Sequence, residues 1–248
     1  MRAGVIDIGS NSIKLLIGER KNDGMTTVDS LKNIIPIGKS TFFDGNIAQE
    51  DINQVIGILE KYKKTLQEYD VKDIKVIATT AIREADNKEI FLDTIERKTG
   101  FKIEVLSVGD VIYYIDAYIS HKLKDSYPIH TKNLIIADIG AGSLDISVMR
   151  KGFTIMSLGL PIGTLRLKQL SGKLDGSQEE TMEALKEHIE TEMAYFKRML
   201  PKIQIDDLIL IDENYTYLES ILSDQKKESD FFQFTQENVK TIFAQIAD

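Results

Sequence analysis

The chain has 248 residues, 42% hydrophobic and 28% charged, an ordinary globular composition with enough length for one large domain or two small ones. A formal charge of −8, from 39 acidic and 31 basic residues, argues against nucleic-acid binding by bulk electrostatics but not against a small anion in a local pocket. The absence of cysteine excludes disulfides and thiol chemistry, no apolar run approaches the ~18 residues of a membrane span, and the N-terminus lacks a secretory-signal pattern, so a cytoplasmic protein is expected.

Residues 2–8 and 12–19 read as strands joined by the turn Gly9-Ser10-Asn11, with a third strand over 26–32. Residues 47–69 are helical, because Ile52, Val55, Ile56, Ile58, Leu59, Tyr62 and Leu66 fall largely on one face. A short β-rich run follows over 73–78, then a helix over 88–98 that ends at Gly100. Residues 102–107 read as a strand and 111–123 as an apolar, partly buried helix. The polar stretch 124–128 is a linker. After it come strands over 133–138, 144–149 and 153–158, a short helix over 163–170 and a charged helix over 178–200 stopped at Pro201. A buried-strand candidate over 207–211 and helical stretches over 217–222 and 236–247 close the chain. His121, His130 and His188 are too scattered to suggest a histidine metal site.

The restart after the linker is an internal repeat. Asp7, Ile8, Gly9 and Ser12 recur 131 residues later as Asp138, Ile139, Gly140 and Ser143. Each copy is a strand, a small-residue turn and a returning strand. Two copies are too few for a solenoid. They predict two similar α/β domains, residues 1–123 and 124–248, facing each other across a cleft.

The two turns are where chemistry is expected. Glycine and serine between strands leave backbone N–H groups free to form an anion-binding concavity, and glycine adopts positive φ and admits close approach. Serine hydroxyls add donors. A carboxylate ending the leading strand, as Asp7 and Asp138 do, can hold a divalent cation beside bound phosphate. The competing reading is a pair of plain hairpins in which Asp and Gly serve turn chemistry alone.

The segments DIGSNSIKLLI, TTAIREA, DIGAGSLDISV and SLGLPIGTLRL, in this order and spacing, resemble the exopolyphosphatase / guanosine pentaphosphate phosphohydrolase (Ppx/GppA) family of the actin-like ATPase superfamily. The resemblance runs from Met1 to about Leu170 and is fainter beyond. It implies two actin-like, ribonuclease H-like domains with mixed sheets flanked by helices. It also implies Mg²⁺-dependent removal of terminal phosphate from polyphosphate or guanosine pentaphosphate. Gly9, Ser10, Asn11 and Ser12, and Gly140, Ala141, Gly142 and Ser143, map to the phosphate-contacting loops. Asp138 maps to the metal, Asp145 replaces the family's usual Glu, and Asp7 is a third candidate ligand. Arg83 matches the substrate-facing arginine, whose guanidinium suits phosphate oxygens; the plainer alternative is an ion pair with Glu84 or Asp86. Arg166 is either functional or a helix-surface charge, and Lys14 faces the cleft or the outside depending on strand phase.

Three departures bear on catalysis. Val111 occupies the position of the family's water-activating Glu when Ser107 is matched, and Ile112 does when Gly109 is matched; Asp110 is the nearest substitute. The Gly-Gly-Thr loop expected after 207–211 is replaced by Asp212, Glu213, Asn214, Tyr215 and Thr216, with two carboxylates where phosphate would come. The family pattern usually runs past Asp248, which is either the natural end of a short second domain or a cut within a longer one; the first two departures do not depend on which. The expectation is therefore a weakened phosphohydrolase, or a non-catalytic phosphate- or nucleotide-binding relative. An ATP-dependent sugar kinase is disfavoured because no glycine-rich purine loop lies near Ile211. The expected partners are polyphosphate or a guanosine nucleotide, with no nucleic acid or membrane and with room for a homodimer.

Overall fold

The computed structural model describes residues 1–21 and 24–212, and the elements below fall within one compact unit, Met1–Ile211, save the last residue of the final strand. The helical stretches expected over 217–222 and 236–247, and residues 213–216, lie outside the described residues.

The first half builds a five-stranded sheet. Strands β1 (Arg2–Ile8), β2 (Ser12–Lys21) and β3 (Gly24–Ile34) form an antiparallel meander. Helices α1 (Gly38–Asp44) and α2 (Gln49–Glu68) lead to β4 (Asp73–Ala78), which lies parallel to β1. Helices α3 (Thr80–Glu84) and α4 (Lys88–Thr99) then lead to β5 (Ile103–Val105), parallel to β4. The strand order is β3-β2-β1-β4-β5. α2 buries Ile52, Val55, Leu59, Tyr62 and Leu66, the face its periodicity predicts, against Ile6, Ile8, Ile13, Leu15 and Ile17. Each such side chain contributes about 1.5–3 kcal/mol relative to exposure. The Tyr62 hydroxyl donates to the Ile13 carbonyl at 2.9 Å, so burial leaves it satisfied. α4 adds Phe91 and Ile95 to the same core and stops at Gly100, whose φ of 77° is the left-handed conformation glycine tolerates.

Helix α5 (Val108–Leu123) starts with a capping box between Ser107 and Asp110 and leads into the second sheet. Strands β6 (Asn133–Ile139), β7 (Leu144–Arg150) and β8 (Phe153–Leu160) form another antiparallel meander. Helices α6 (Thr164–Ser171) and α7 (Gln178–Met199) follow, and β9 (Asp207–Asp212) completes the order β8-β7-β6-β9. A second core joins Ile146, Val148, Leu160 and Phe196, with α6 and α7 residues around it. On α5, Ile112, Asp116, Ile119 and Leu123 are buried on one stripe, and Asp116 accepts from Ser147 Oγ on β7 at 2.7 Å and Thr154 Oγ1 on β8 at 2.5 Å. That carboxylate pins α5 to the second sheet.

The repeat is more complete in three dimensions than in sequence. A register shift falls between Ile17 and Gly18 in one meander and between Val148 and Met149 in the other, again 131 residues apart. Both meanders then run into Pro-Ile-Gly, at 36–38 and 161–163, where the Ile N–H bonds back two residues (Ile37 to Ile35, Ile162 to Leu160) before a helix begins. Helices α1 and α3 were not expected from the pattern. Seven and five residues are too few to display a 3.6-residue periodicity, and tertiary contacts hold them. No helix among the described residues is long and apolar enough to cross a membrane.

Candidate functional site

The two turns close identically. Gly9 N–H donates to the Ser12 carbonyl at 3.0 Å, and Gly140 N–H to the Ser143 carbonyl at 2.9 Å. Their carbonyl sides are occupied. The Ser10 carbonyl accepts from Gly38 N–H at 2.8 Å, the first residue of α1. The Gly140 carbonyl accepts from Thr164 and the Ala141 carbonyl from Leu165 and Arg166, the first turn of α6. Among the described residues the N–H groups of Ser10, Asn11, Ala141 and Gly142 have no backbone acceptor. Such free N–H groups are what an anion-binding turn supplies.

The turns lie against each other. A β-carbon on Gly142 would stand 2.7 Å from Ser10 Oγ and 2.9 Å from Thr80 Cβ, and Thr80 Oγ1 is 3.2 Å from Ser143 Oγ. Glycine serves here by its missing side chain. None of Gly9, Gly140 and Gly142 has positive φ, which corrects that part of the sequence expectation. Ser10, Ser12, Ser143 and Thr80 are all buried.

Four charged groups follow from strand register. Asp7 is paired across the hairpin with Lys14, and at the equivalent place Asp138 is paired with Asp145. Register thus settles Lys14: it shares a sheet face with Asp7 and feels the charges of both Asp7 and Asp138. Burial pushes its ammonium below the ordinary lysine range, Lys32 adds to that, and the two carboxylates oppose it. Burial raises Asp7 above the usual carboxylate range, with Lys14 opposing. Asp145 is raised for the same reason, while the Ser143 hydroxyl and Arg83 pull it down. Asp7 Oδ1 and Asp145 Oδ1 are buried without a hydrogen-bond partner. Two like charges opposed across strands, and two orphaned carboxylate oxygens, are features a divalent cation would relieve. Among the described residues no three His, Asp or Glu side chains form a cage by themselves. Mg²⁺ usually takes one or two carboxylates plus waters and phosphate oxygens, so Asp138 and Asp145, with Asp7 nearby in the repeat, fit it.

Arg83 makes no described ion pair with Glu84 or Asp86. Its Nη1 donates to the Leu106 carbonyl at 2.9 Å and its Nη2 to Thr80 Oγ1 at 3.1 Å, which fixes the guanidinium plane near the start of α5. Glu84 is taken by Arg166, at 2.5 Å. Arg166 is more than a surface charge. Its Nε donates to the Gly142 carbonyl at 2.8 Å, and its guanidinium lies over the Phe42 ring at 4.1 Å.

Asp110 is exposed, and its carboxylate accepts from Ser107 N–H at 2.9 Å and Ser107 Oγ at 2.7 Å, bonds that hold it below the usual carboxylate range. Val111 is half-buried in the first turn of α5 and Ile112 is in the core. The α5 start is close to the carboxylates: a β-carbon on Gly159 would touch both Asp145 Oδ1 and the Val108 side chain.

Sequence reasoning missed the roles of Thr80 and Gly163 and left Arg166 open between a functional group and a surface charge. The second Pro-Ile-Gly was visible as a repeat of the first and would have marked both helix starts; Thr80 lay inside the TTAIREA segment, but nothing there pointed to its contact with Ser143.

The sequence profile of the Ppx/GppA phosphatase family matches residues 5–247. The chain belongs to the Ppx/GppA phosphatase family. A solved Ppx/GppA family member from Aquifex aeolicus is 26% identical, with a TM-score of 0.75 over 99% of this chain and 78% of that one. The chain is 29% identical over 209 residues to the bifunctional 3-dehydroquinate synthase/phosphatase of Fusobacterium nucleatum, covering 78% of this chain and 31% of that protein. It is 27% identical over 169 residues to exopolyphosphatase 1 of Mycobacterium bovis, covering 67% of this chain and 48% of that protein. The chain thus spans less than half the length of these two curated relatives. The two meander sheets with flanking helices are the actin-like fold of the Ppx/GppA family.

Proposed function

We propose that this Ppx/GppA family member binds the terminal phosphates of inorganic polyphosphate or guanosine pentaphosphate in the cytoplasm and hydrolyses the terminal phosphoanhydride slowly. The observation that carries the reading is the contact of the two glycine-serine turns, Gly142 against Ser10, with Thr80 of α3 braced against Ser143 beside it. Free N–H groups from both turns would hold phosphate oxygens, and the Arg83 guanidinium would neutralise charge that develops on them. Asp138 and Asp145, with Asp7, would hold Mg²⁺, which when bound offsets phosphate charge and lines up the leaving oxygen. These local positive groups answer the net charge of −8.

Slowness follows from the α5 start. Val111 has no proton-accepting group, and the Asp110 carboxylate is committed to its cap. Loss of a general base typically costs about 10²–10⁴-fold. Phosphoryl transfer leans mostly on positioning and electrostatics, so turnover persists at a reduced rate. The same observation favours a second reading, a phosphate-binding member without catalysis.

The test is calorimetric titration with polyphosphate and guanosine pentaphosphate in Mg²⁺, together with phosphate release. Binding with slow release is expected. Release at rates typical of enzymes overturns the weakened site, binding without release selects the second reading, and no binding to either compound overturns the phosphate site.

A further inference from the structure

Three polar side chains, Arg83, Thr80 and Ser143, form one hydrogen-bonded chain across the two halves of the fold. Arg83 Nη2 donates to Thr80 Oγ1 at 3.1 Å, and Thr80 Oγ1 lies 3.2 Å from Ser143 Oγ. Each hydroxyl has a single proton to give. Thr80 accepts from the guanidinium, which has only donors. Its second hydrogen bond, to Ser143 Oγ, links the guanidinium to the second turn. Thr80 and Ser143 are 5% and 8% exposed, so water competes poorly for these bonds.

Thr80 also supports the second turn sterically. A β-carbon on Gly142 would lie 2.9 Å from both Thr80 Cβ and Cγ2. On its other side, Arg83 has one further hydrogen bond among the described residues, to the Leu106 carbonyl at 2.9 Å. Without the Thr80 hydroxyl the guanidinium keeps a single fixed bond and is free to swing about it.

We propose that Thr80 is a positioning residue that locks the Arg83 guanidinium and the Gly140–Ser143 turn into one register, so that both address the same terminal phosphate. The proposal rests on the phosphate reading above for its ligand, but the coupling exists without ligand. Thr80→Val keeps the shape and removes the hydroxyl; Thr80→Ser keeps the hydroxyl; Ser143→Ala removes the same bond from the other side.

Amide hydrogen exchange of Ala141 and Gly142 in the ligand-free full chain reads the coupling. We expect exchange about tenfold faster in Thr80→Val and Ser143→Ala, the scale of one lost buried hydrogen bond, and near wild type in Thr80→Ser. Polyphosphate affinity with Mg²⁺ should fall by about the same factor in Thr80→Val and be restored by Ser. Unchanged exchange in both Thr80→Val and Ser143→Ala overturns the proposal, as does failure of Ser to restore it, which would assign the effect to packing. If wild type itself binds no polyphosphate or guanosine pentaphosphate, the phosphate reading falls, and the exchange comparison still decides the coupling.

Discussion

Gly163 and Gly142 meet backbone to backbone: a methyl group on the Gly163 α-carbon would stand 2.3 Å from the Gly142 carbonyl carbon and 2.4 Å from Ser143 N. Neither neighbour is a flexible side chain that could turn aside. Gly163→Ala should therefore displace the second turn or cost at least the ~1–3 kcal/mol typical of overpacking. A urea melt measures the cost. Calorimetry with polyphosphate should show binding lost at a temperature where the variant is still folded; wild-type affinity would contradict this account of the turn.

Arg166 holds three elements together through the Gly142 carbonyl, Glu84 and the Phe42 ring. Arg166→Met should lower stability by about 1–3 kcal/mol, since a part-buried charge-assisted bond to the Gly142 carbonyl and a cation–π contact both go. Arg166→Lys should recover only part, because an ammonium cannot reproduce the planar fork. Glu84→Gln should cost less than either, because Glu84 is the more exposed partner. Denaturation midpoints of the three variants give the ranking.

Burial raises the carboxyl groups of Asp7 and Asp145. Between the ordinary carboxylate range and the raised values the folded state binds more protons than the unfolded one. Stability from these groups is thus complete below the unfolded value and lost as pH rises through the folded value. At neutral pH Asp145→Asn should raise the melting temperature and flatten its pH dependence on the acid side. The same variant should reduce the upward shift that Mg²⁺ produces in wild type. Thermal melts from the acid into the neutral range, with and without Mg²⁺, test both signs.

Val111→Glu places a carboxylate in the first turn of α5, where the helix dipole favours it. If a missing base is the principal defect, phosphate release from polyphosphate should rise by up to about 10²–10⁴-fold. A steady-state phosphate assay decides it. No gain would mean that more than one part of the site has been lost.

Much of this fold was legible in the chain because its signals are local. The hydrophobic stripe of α2 and the twin Asp-Ile-Gly turns each lie within a few residues, and hairpin register then follows, since an antiparallel pair closed by a tight turn has little freedom to slip. Asp7 opposite Lys14 and Asp138 opposite Asp145 are consequences of that register. The one-turn helix α3 was not legible, because it is too short for its period to show.

By itself, then, the sequence determined two copies of one meander, their turns, the residues within them and the family to which the chain belongs. Only the tertiary structure decided what those turns touch. Thr80 meets Ser143 across 63 residues and Arg166 meets Glu84 across 82, contacts that depend on how helices pack on two separate sheets. Packing of this kind is set by shape over many side chains at once, and no single spacing along the chain carries it.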